Sequence, residues 1–413
     1  MSHAGIGMPA PQPFLVYRDR IGAPSEIGFL RRQYVGFTRL HPVWIGRTLL
    51  TGAEDIGSDV LRLGGNALLG PLHRLLFRHF GVVPRPLGTP ARHASPHRHG
   101  PACPGHPLPH RAAIGRPDKP GHDDGIGWGG VLHAQFARGG ALALPLARAL
   151  NLRLVVTLHG GDVSKQKNWR GTVLAQRWPA LVRETACFVC VSAAVAEIAA
   201  ARGVPPDKLT VLPIGVEIPD HPPAAGQPTA HLFAGRFVEK KGILVIADAI
   251  RRLRTQGDAT PLVCVGDGPL RPVLEALARD APGVTLTGWL PPEAVRACMQ
   301  QSVSLLVPSV IAAGGDAEGL PSVIPEAMAQ GCPVIGSDQG GIAEAIRHSE
   351  TGLLIRPGDA GALAEAMGRL VHERGLRTRL SANGFAYAAE ALNARIQSEK
   401  LENLLLSARD AAG

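Results

Sequence analysis

From residue 151 onward the sequence alternates short apolar runs with helical stretches, and few folds accept that order. NLRLVVTLHGGD (151–162) reads as a strand running into a polar loop. RETACFVCVSAAVAEIAAARG (183–203) reads as a strand, a serine at a helix start (Ser192) and a helix closed by Gly203, and DKLTVLPIGVE as a further short strand. Past residue 230 the pattern continues through HLFAGRF, KGILVIADAIRRLRTQG, PLVCVGDG, LRPVLEALARD, VTLTGW, PPEAVRACMQQ, SLLVPS, SVIPEAMAQG, PVIGSD, GGIAEAIRH and TGLLIRPGD. Strand-helix alternation of this length predicts an α/β fold with parallel sheets, right-handed crossovers and helices on both faces. Ligands in such sheets sit beyond the carboxyl ends of the strands. The loops GRFVEKKG, GDGP, GWL, PSVIAAGGDAEG and SDQGG are therefore expected to line one cleft.

A chain of 413 residues is too long for one ordinary core. The Pro- and Ala-rich stretch PDHPPAAGQPTA (219–230) is the expected linker between a first domain at 12–218 and a second at 231–390. Residues 391–413, with SEKLENLLLSARD, are expected to form a terminal helix. Residues 84–128 break the pattern. They are rich in Pro, Gly, His and Arg and almost free of apolar periodicity, so a disordered insertion in the first domain is predicted. Its histidines (93, 97, 99, 106, 110 and 122) lack regular metal-ligand spacing.

Several function classes drop out. No window holds 18 uninterrupted apolar residues, so no membrane-spanning helix is expected. The opening MSHAGIGMPAPQPF has no basic flank before an apolar core, so no secretory signal is expected either. Six cysteines at irregular spacing point to a reducing compartment, the cytoplasm. Cys187 and Cys190 have C-x-x-C spacing, but without a second such pair they read as small apolar residues of a buried strand. A net charge of +9 favours acidic partners. No helix carries a dense basic face with stacking aromatics, so nucleic acid is not the expected partner. VGDGPLRP lacks the third glycine of the dinucleotide fingerprint, which argues against a nicotinamide enzyme.

The chemistry concentrates in EGLPSVIPE (318–326). A helix starting near Leu320 to Ser322 would offer unpaired N–H groups and a positive dipole end to a phosphate. Glu318 before it and Glu326 in its first turn would flank that phosphate, which suits a sugar on one side and a ribose on the other. In GRFVEKKG, Arg236 and Lys241 supply a fork and a point charge that together can hold a diphosphate without metal.

In this order and spacing, GRFVEKKG, VGDGP, LTGWL and EGLPSVIPEAMAQGCPVIGSDQGGIAE resemble the C-terminal donor domain of retaining glycosyltransferases of family 4 (group 1), and TLHGGDV with the early PSE loop resembles those that build exopolysaccharide and colanic-acid-type glycans. The resemblance covers residues 150–390 strongly and the first 80 loosely. It implies a GT-B fold, two Rossmann-like doubly wound domains facing across a cleft, with the terminal helix crossing back to the first. It also implies a nucleotide-sugar donor, UDP- or GDP-linked, and no metal or other cofactor. Arg236 and Lys241 would hold the donor diphosphate, Glu318 the sugar hydroxyls and Glu326 the ribose. The backbone of Gly319 and Leu320 would meet phosphate or sugar, and Trp289 and Leu290 would frame the base. TLHGGD resembles the loop that brings a histidine, here His159, close to the reacting carbon, with Asp162 near the acceptor. IGAPSE resembles the loop that approaches the diphosphate; one of its usual two glycines is missing, leaving Gly22.

The acceptor side has two readings. EIGFLRRQYVGFTRL would place Ile27, Leu30, Tyr34 and Phe37 on one helical face beside Arg31, Arg32 and Arg39, and LRLGGNALLGPLHRLLFRHF is a second basic, apolar stretch. Either both rest on an anionic inner-membrane surface and reach a glycan or lipid-linked sugar, or their apolar faces pack on the first sheet. A separate alternative is a nucleotide-sugar-binding protein whose catalysis the 84–128 insertion has impaired.

Overall fold

The computed structural model describes residues 10–21, 24–50, 59–62, 130–165, 169–223 and 228–411. Gly22, the 84–128 segment with its histidines, and most of the second basic, apolar stretch lie outside these residues. The chain divides into two compact units, residues 1–157, 171–188 and 402–413 in one and 158–170 and 189–401 in the other.

Among the described residues a seven-stranded sheet runs in the order Val60–Arg62, Leu40–Gly46, Gln12–Tyr17, Val131–Gln135, Arg153–Leu158, Cys187–Cys190, Leu209–Val211. The registered pairs are parallel, as the alternation predicted. Its strands are continuous apolar runs because both faces are covered: Phe14 to Tyr17 are all buried. Cys187 and Cys190 are not joined in a disulfide.

The helix after the first strand, Pro24–Arg32, ends before Tyr34 and Phe37, so the expected single helical face does not form. The chain turns instead, and Phe37 stacks on Phe14 at 5.8 Å while meeting the Tyr34 ring edge-on. Leu30 and Tyr34 are buried, so these apolar side chains serve the core of the first unit. The side chain of Ile27 lies outside the described residues.

Tyr34 heads a buried polar chain. Its hydroxyl accepts from Gln135 Nε2 at 2.8 Å and lies 2.8 Å from His133 Nδ1, and His133 Nε2 lies 2.7 Å from Thr157 Oγ1. Burial pushes the phenol of Tyr34 up, against the Gln135 hydrogen bond, and pushes His133 down to about 3. In the second unit burial brings His231 down to about 4, against the pull of Asp258. Both histidines are neutral when folded and titrate near 6.5 when unfolded. Their folded pKa lies below the unfolded one. The stabilisation is therefore complete above about pH 6.5 and falls as the pH drops toward the folded values. Urea unfolding should lose roughly 2 kcal/mol per histidine between pH 7 and 5, and His133→Gln should remove part of that slope. A stability that stays flat over this interval would contradict the neutral assignment.

The helix Ala394–Asp410 supplies Glu402 to the first unit. Its carboxylate, 1% exposed, accepts from the backbone N–H groups of Thr38 (3.0 Å), Arg39 (2.7 Å) and Leu40 (2.8 Å).

In the second unit a six-stranded sheet runs Val284–Gly288, Leu262–Val265, Ala230–Ala234, Ser302–Val307, Val334–Ser337, Leu353–Ile355, with parallel pairs throughout. Helices cover it as periodicity requires. Ile243–Thr255 buries Ile243, Ile246, Ala247, Ile250 and Leu253, one stripe at helical spacing. Each large member of such a stripe contributes roughly 1.5–3 kcal/mol. The chain order reverses between Ala230–Ala234 and Ser302–Val307: successive strands step one way from the first and the other way from the second. That reversal is the switch point at which doubly wound sheets open a ligand site.

Candidate active site

The two strands at the switch point deliver the chemistry. Ala230–Ala234 runs into a single 3-10 turn, Glu239–Lys241, and Ser302–Val307 into the long loop carrying Glu318. The two connections are pinned together. Val310 N–H donates to the carbonyl of Lys240 (2.9 Å), and Gly242, at φ 71°, has no side chain where the carbonyl of Pro308 comes close. Neighbouring loops join them: Phe237 N–H reaches Asp267 O (2.9 Å), Gly266 N–H reaches Gly288 O (2.8 Å) and Gln339 Nε2 reaches Ser309 O (2.7 Å). The loops expected to share one sheet edge thus touch in sequence along it.

Glu318 and Lys241, both picked from sequence, meet directly. Lys241 Nζ is 3.2 Å from Glu318 Oε1, and Lys240 Nζ is 3.3 Å from the same oxygen. Glu318 is 12% exposed. Burial alone would raise its carboxyl, but the ammonium groups of Lys241 and Lys240 outweigh that and hold it below the usual carboxylate range. Asp316 extends the array, 3.4 Å from Lys240 Nζ and 2.9 Å from Lys165 Nζ. Sequence reading missed Lys240, Asp316 and Lys165. The signal available was the doubled lysine of EKKG and the acid two residues before Glu318.

His159, Gly160 and Gly161 lie against this loop within the same unit. A Cβ on Gly319 would strike the carbonyl oxygen of His159, and one on Gly160 (φ 106°) would come within 2.5 Å of Gly319 N. Asp162 Oδ1 accepts from His159 N–H at 3.0 Å, so the carboxylate expected near the acceptor also fixes the histidine's backbone. Ser164 Oγ accepts from Ala317 N–H at 3.3 Å.

The helix after Glu318 begins at Val323 rather than near Leu320 to Ser322, and Ser322 makes no side-chain cap. Pro325 therefore falls at the third helical position, where its missing N–H would have been unpaired anyway. Glu326, half-buried, sits in the first turn, its N–H bonded to Ser322 O (3.2 Å). Leu320 and Leu290 are half-buried against the core, Trp289 is 58% exposed after Val284–Gly288, and Arg236 is exposed. Gly341 packs on the carbonyl of Gly319, and Glu344 accepts from the N–H groups of Ala193 (2.6 Å) and Ala194 (2.8 Å) at a helix start.

Two parallel, doubly wound sheets with charged loops at a switch point define a GT-B fold. Solved structures share it: Anabaena Alr3699/HepE in complex with UDP and glucose (TM-score 0.69, 15% identity, 96% of this chain and 100% of that one) and sucrose-phosphate synthase from Thermosynechococcus elongatus (0.66, 19%, 97% and 100%). Residues 130–218 match the model "Glycosyltransferase Family 4" and residues 228–373 the model "Glycosyl transferases group 1", so the chain carries a family 4 and a group 1 glycosyltransferase domain. It is similar to the amylovoran biosynthesis glycosyltransferase AmsK of Erwinia amylovora, with 33% identity over 253 residues, 58% of this chain and 61% of that one. It is also similar to WcaL of Escherichia coli, assigned to colanic acid biosynthesis as a glycosyltransferase, with 30% identity over 250 residues, 57% and 60%. The chain thus matches about three fifths of the length of these relatives. Among the described residues no helix is long and apolar enough to cross a membrane.

Proposed function

We propose that the protein is a retaining glycosyltransferase. It moves a sugar from a UDP- or GDP-linked donor to a glycan or lipid-linked acceptor in bacterial exopolysaccharide or cell-surface polysaccharide synthesis, at the cytoplasmic face of the inner membrane. The observation that carries this reading is the Lys241–Glu318 pair at the switch point of the second sheet. A cation for a diphosphate and an acceptor for sugar hydroxyls stand side by side there. The family match and the biosynthetic roles in the names of AmsK and WcaL support the substrate class.

In this reading Lys241 and Arg236 bind the diphosphate without a metal cofactor, Glu318 the sugar and Glu326 the ribose. Trp289 and Leu290 frame the base, and the Gly319–Leu320 backbone faces phosphate or sugar. His159 stands near the anomeric carbon. The acceptor hydroxyl attacks that carbon on the face the diphosphate is leaving. The sugar–phosphate C–O bond breaks as the glycosidic C–O bond forms, and the hydroxyl proton passes to a departing phosphate oxygen. The chain's contribution is positioning and stabilisation of the leaving charge.

Thermal unfolding with UDP, GDP, ADP and their sugar conjugates tests this reading. One nucleotide should raise Tm, and Glu326→Ala should weaken its binding roughly 10- to 100-fold through loss of a charged hydrogen bond. Lys241→Ala and Glu318→Ala should lower turnover about 100-fold or more. The reading fails if none of these nucleotides stabilises the wild-type chain.

A further inference from the structure

The two lysines on Glu318 are held differently. Among the described residues Lys241 Nζ has one carboxylate partner, Glu318 at 3.2 Å. Lys240 Nζ has two, Glu318 at 3.3 Å and Asp316 at 3.4 Å, and Asp316 is itself fixed by Lys165 at 2.9 Å. The backbone shapes this arrangement. Asp316 follows Gly314 and Gly315, both at positive φ, in a turn closed by Ala312 N–H on Asp316 O (3.1 Å). Gly161 leaves room for the ion pair: a Cβ there would come within 3.2 Å of Asp316 Oδ1 and 3.3 Å of Lys165 Cε. Three ammonium groups and two carboxylates leave one positive charge in excess.

We propose that Lys240 is a positioning residue, the standing counter-ion of Glu318, kept in place by Asp316 and Lys165 while Lys241 turns to the donor diphosphate. The inference rests on the donor-site reading above. An arriving diphosphate competes most easily for the ammonium with a single partner, which is Lys241. If Lys240 left as well, Glu318 would remain largely buried without a cation, an arrangement that costs far more than a solvated charge. Lys240 thus divides the array into two tasks: Lys241 is exchangeable and serves the phosphates, and Lys240 stays and keeps Glu318 ionised and aimed at the sugar. Asp316 and Lys165 act only through Lys240.

The division gives a distinctive binding pattern. The probes are UDP, GDP and ADP with UDP-glucose, GDP-mannose and ADP-glucose, titrated calorimetrically into the full chain and into Lys240→Met, Lys240→Arg, Asp316→Asn and Lys241→Met. Lys240→Met should bind the free nucleoside diphosphate as the wild type does. It should lose at least ~10-fold in affinity for the sugar conjugate and a comparable factor in turnover, the scale of one charged contact. Lys240→Arg should restore most of both, and Lys241→Met should lose both ligands together. Equal loss of the free nucleoside diphosphate in Lys240→Met and Lys241→Met would make Lys240 a phosphate ligand and overturn the proposal. Unchanged sugar-conjugate binding and turnover in Lys240→Met would overturn it too. Should Lys240→Met fail to fold, Asp316→Asn must show the same selective loss in milder form, and wild-type behaviour there would sink the idea. A wild-type chain that binds none of the six probes brings down the donor-site reading itself, a result separate from a wild type that binds and a variant that behaves wrongly.

Discussion

Gly319→Ala should lower turnover roughly 100-fold, the scale set by about 1 Å of misplacement in a reacting site. The residue is clasped from both sides. The added methyl would strike the carbonyl oxygen of His159 and lie 3.1 Å from Val191 Cγ2, while the carbonyl of Gly319 already fills the space where Gly341 lacks a side chain. Neither obstacle is a flexible side-chain end. The methyl must therefore push the His159–Gly161 loop and the Glu318 turn apart, which costs about 1–3 kcal/mol in packing. The loss of activity should exceed what that destabilisation explains. Assayed well below the unfolding temperature, the variant should stay folded and turn over poorly. Turnover within twofold of wild type would mean that the contact between these loops does not set the reacting geometry.

The second large effect lies far from that chemistry. Glu402→Ala should destabilise the first unit by about 3 kcal/mol, read as a lower urea midpoint with the slope unchanged. Three backbone N–H groups, of Thr38, Arg39 and Leu40, lose one acceptor together, and Arg39 loses an ion pair at 3.5 Å. Water can reach Thr38 and Arg39, which are exposed, but Leu40 is buried. Most of the cost therefore falls at one amide. Glu402→Gln, keeping one oxygen, should lie between. A change below ~1 kcal/mol would show that solvent replaces the carboxylate fully.

The sheets were legible because their signal is collective. Every apolar run from LRLVVTL to GLLI became a strand, and each intervening amphipathic stretch became a helix on a face. That Lys241 and Glu318 lie side by side was legible for a related reason: in a doubly wound sheet, residues just past adjacent strands must share an edge. What stayed hidden depends on individual contacts. Periodicity cannot tell which of two consecutive lysines also pairs with a second carboxylate, and the spacing of Asp316 and Lys165, 151 residues apart, announces nothing. The segment 33–37 looked helical because Tyr34 and Phe37 keep helical spacing. Both instead join the Phe14 cluster after the helix has ended, since burying three rings together outweighs continuing it. The EGLPSVIPE helix begins at Val323 with Ser322 as its N-cap, one residue past the expected start, which keeps Pro325 in the first turn where an N–H is not needed.

Glu402 also sets an order in time. Residues 38–40 leave the ribosome more than 360 residues ahead of the carboxylate that satisfies them. Throughout synthesis of the second unit the first therefore carries a loop with open amide donors beside an otherwise buildable sheet. Its last step of folding must wait until residue 402 has been made. A chain released before residue 402 would display that loop unsealed.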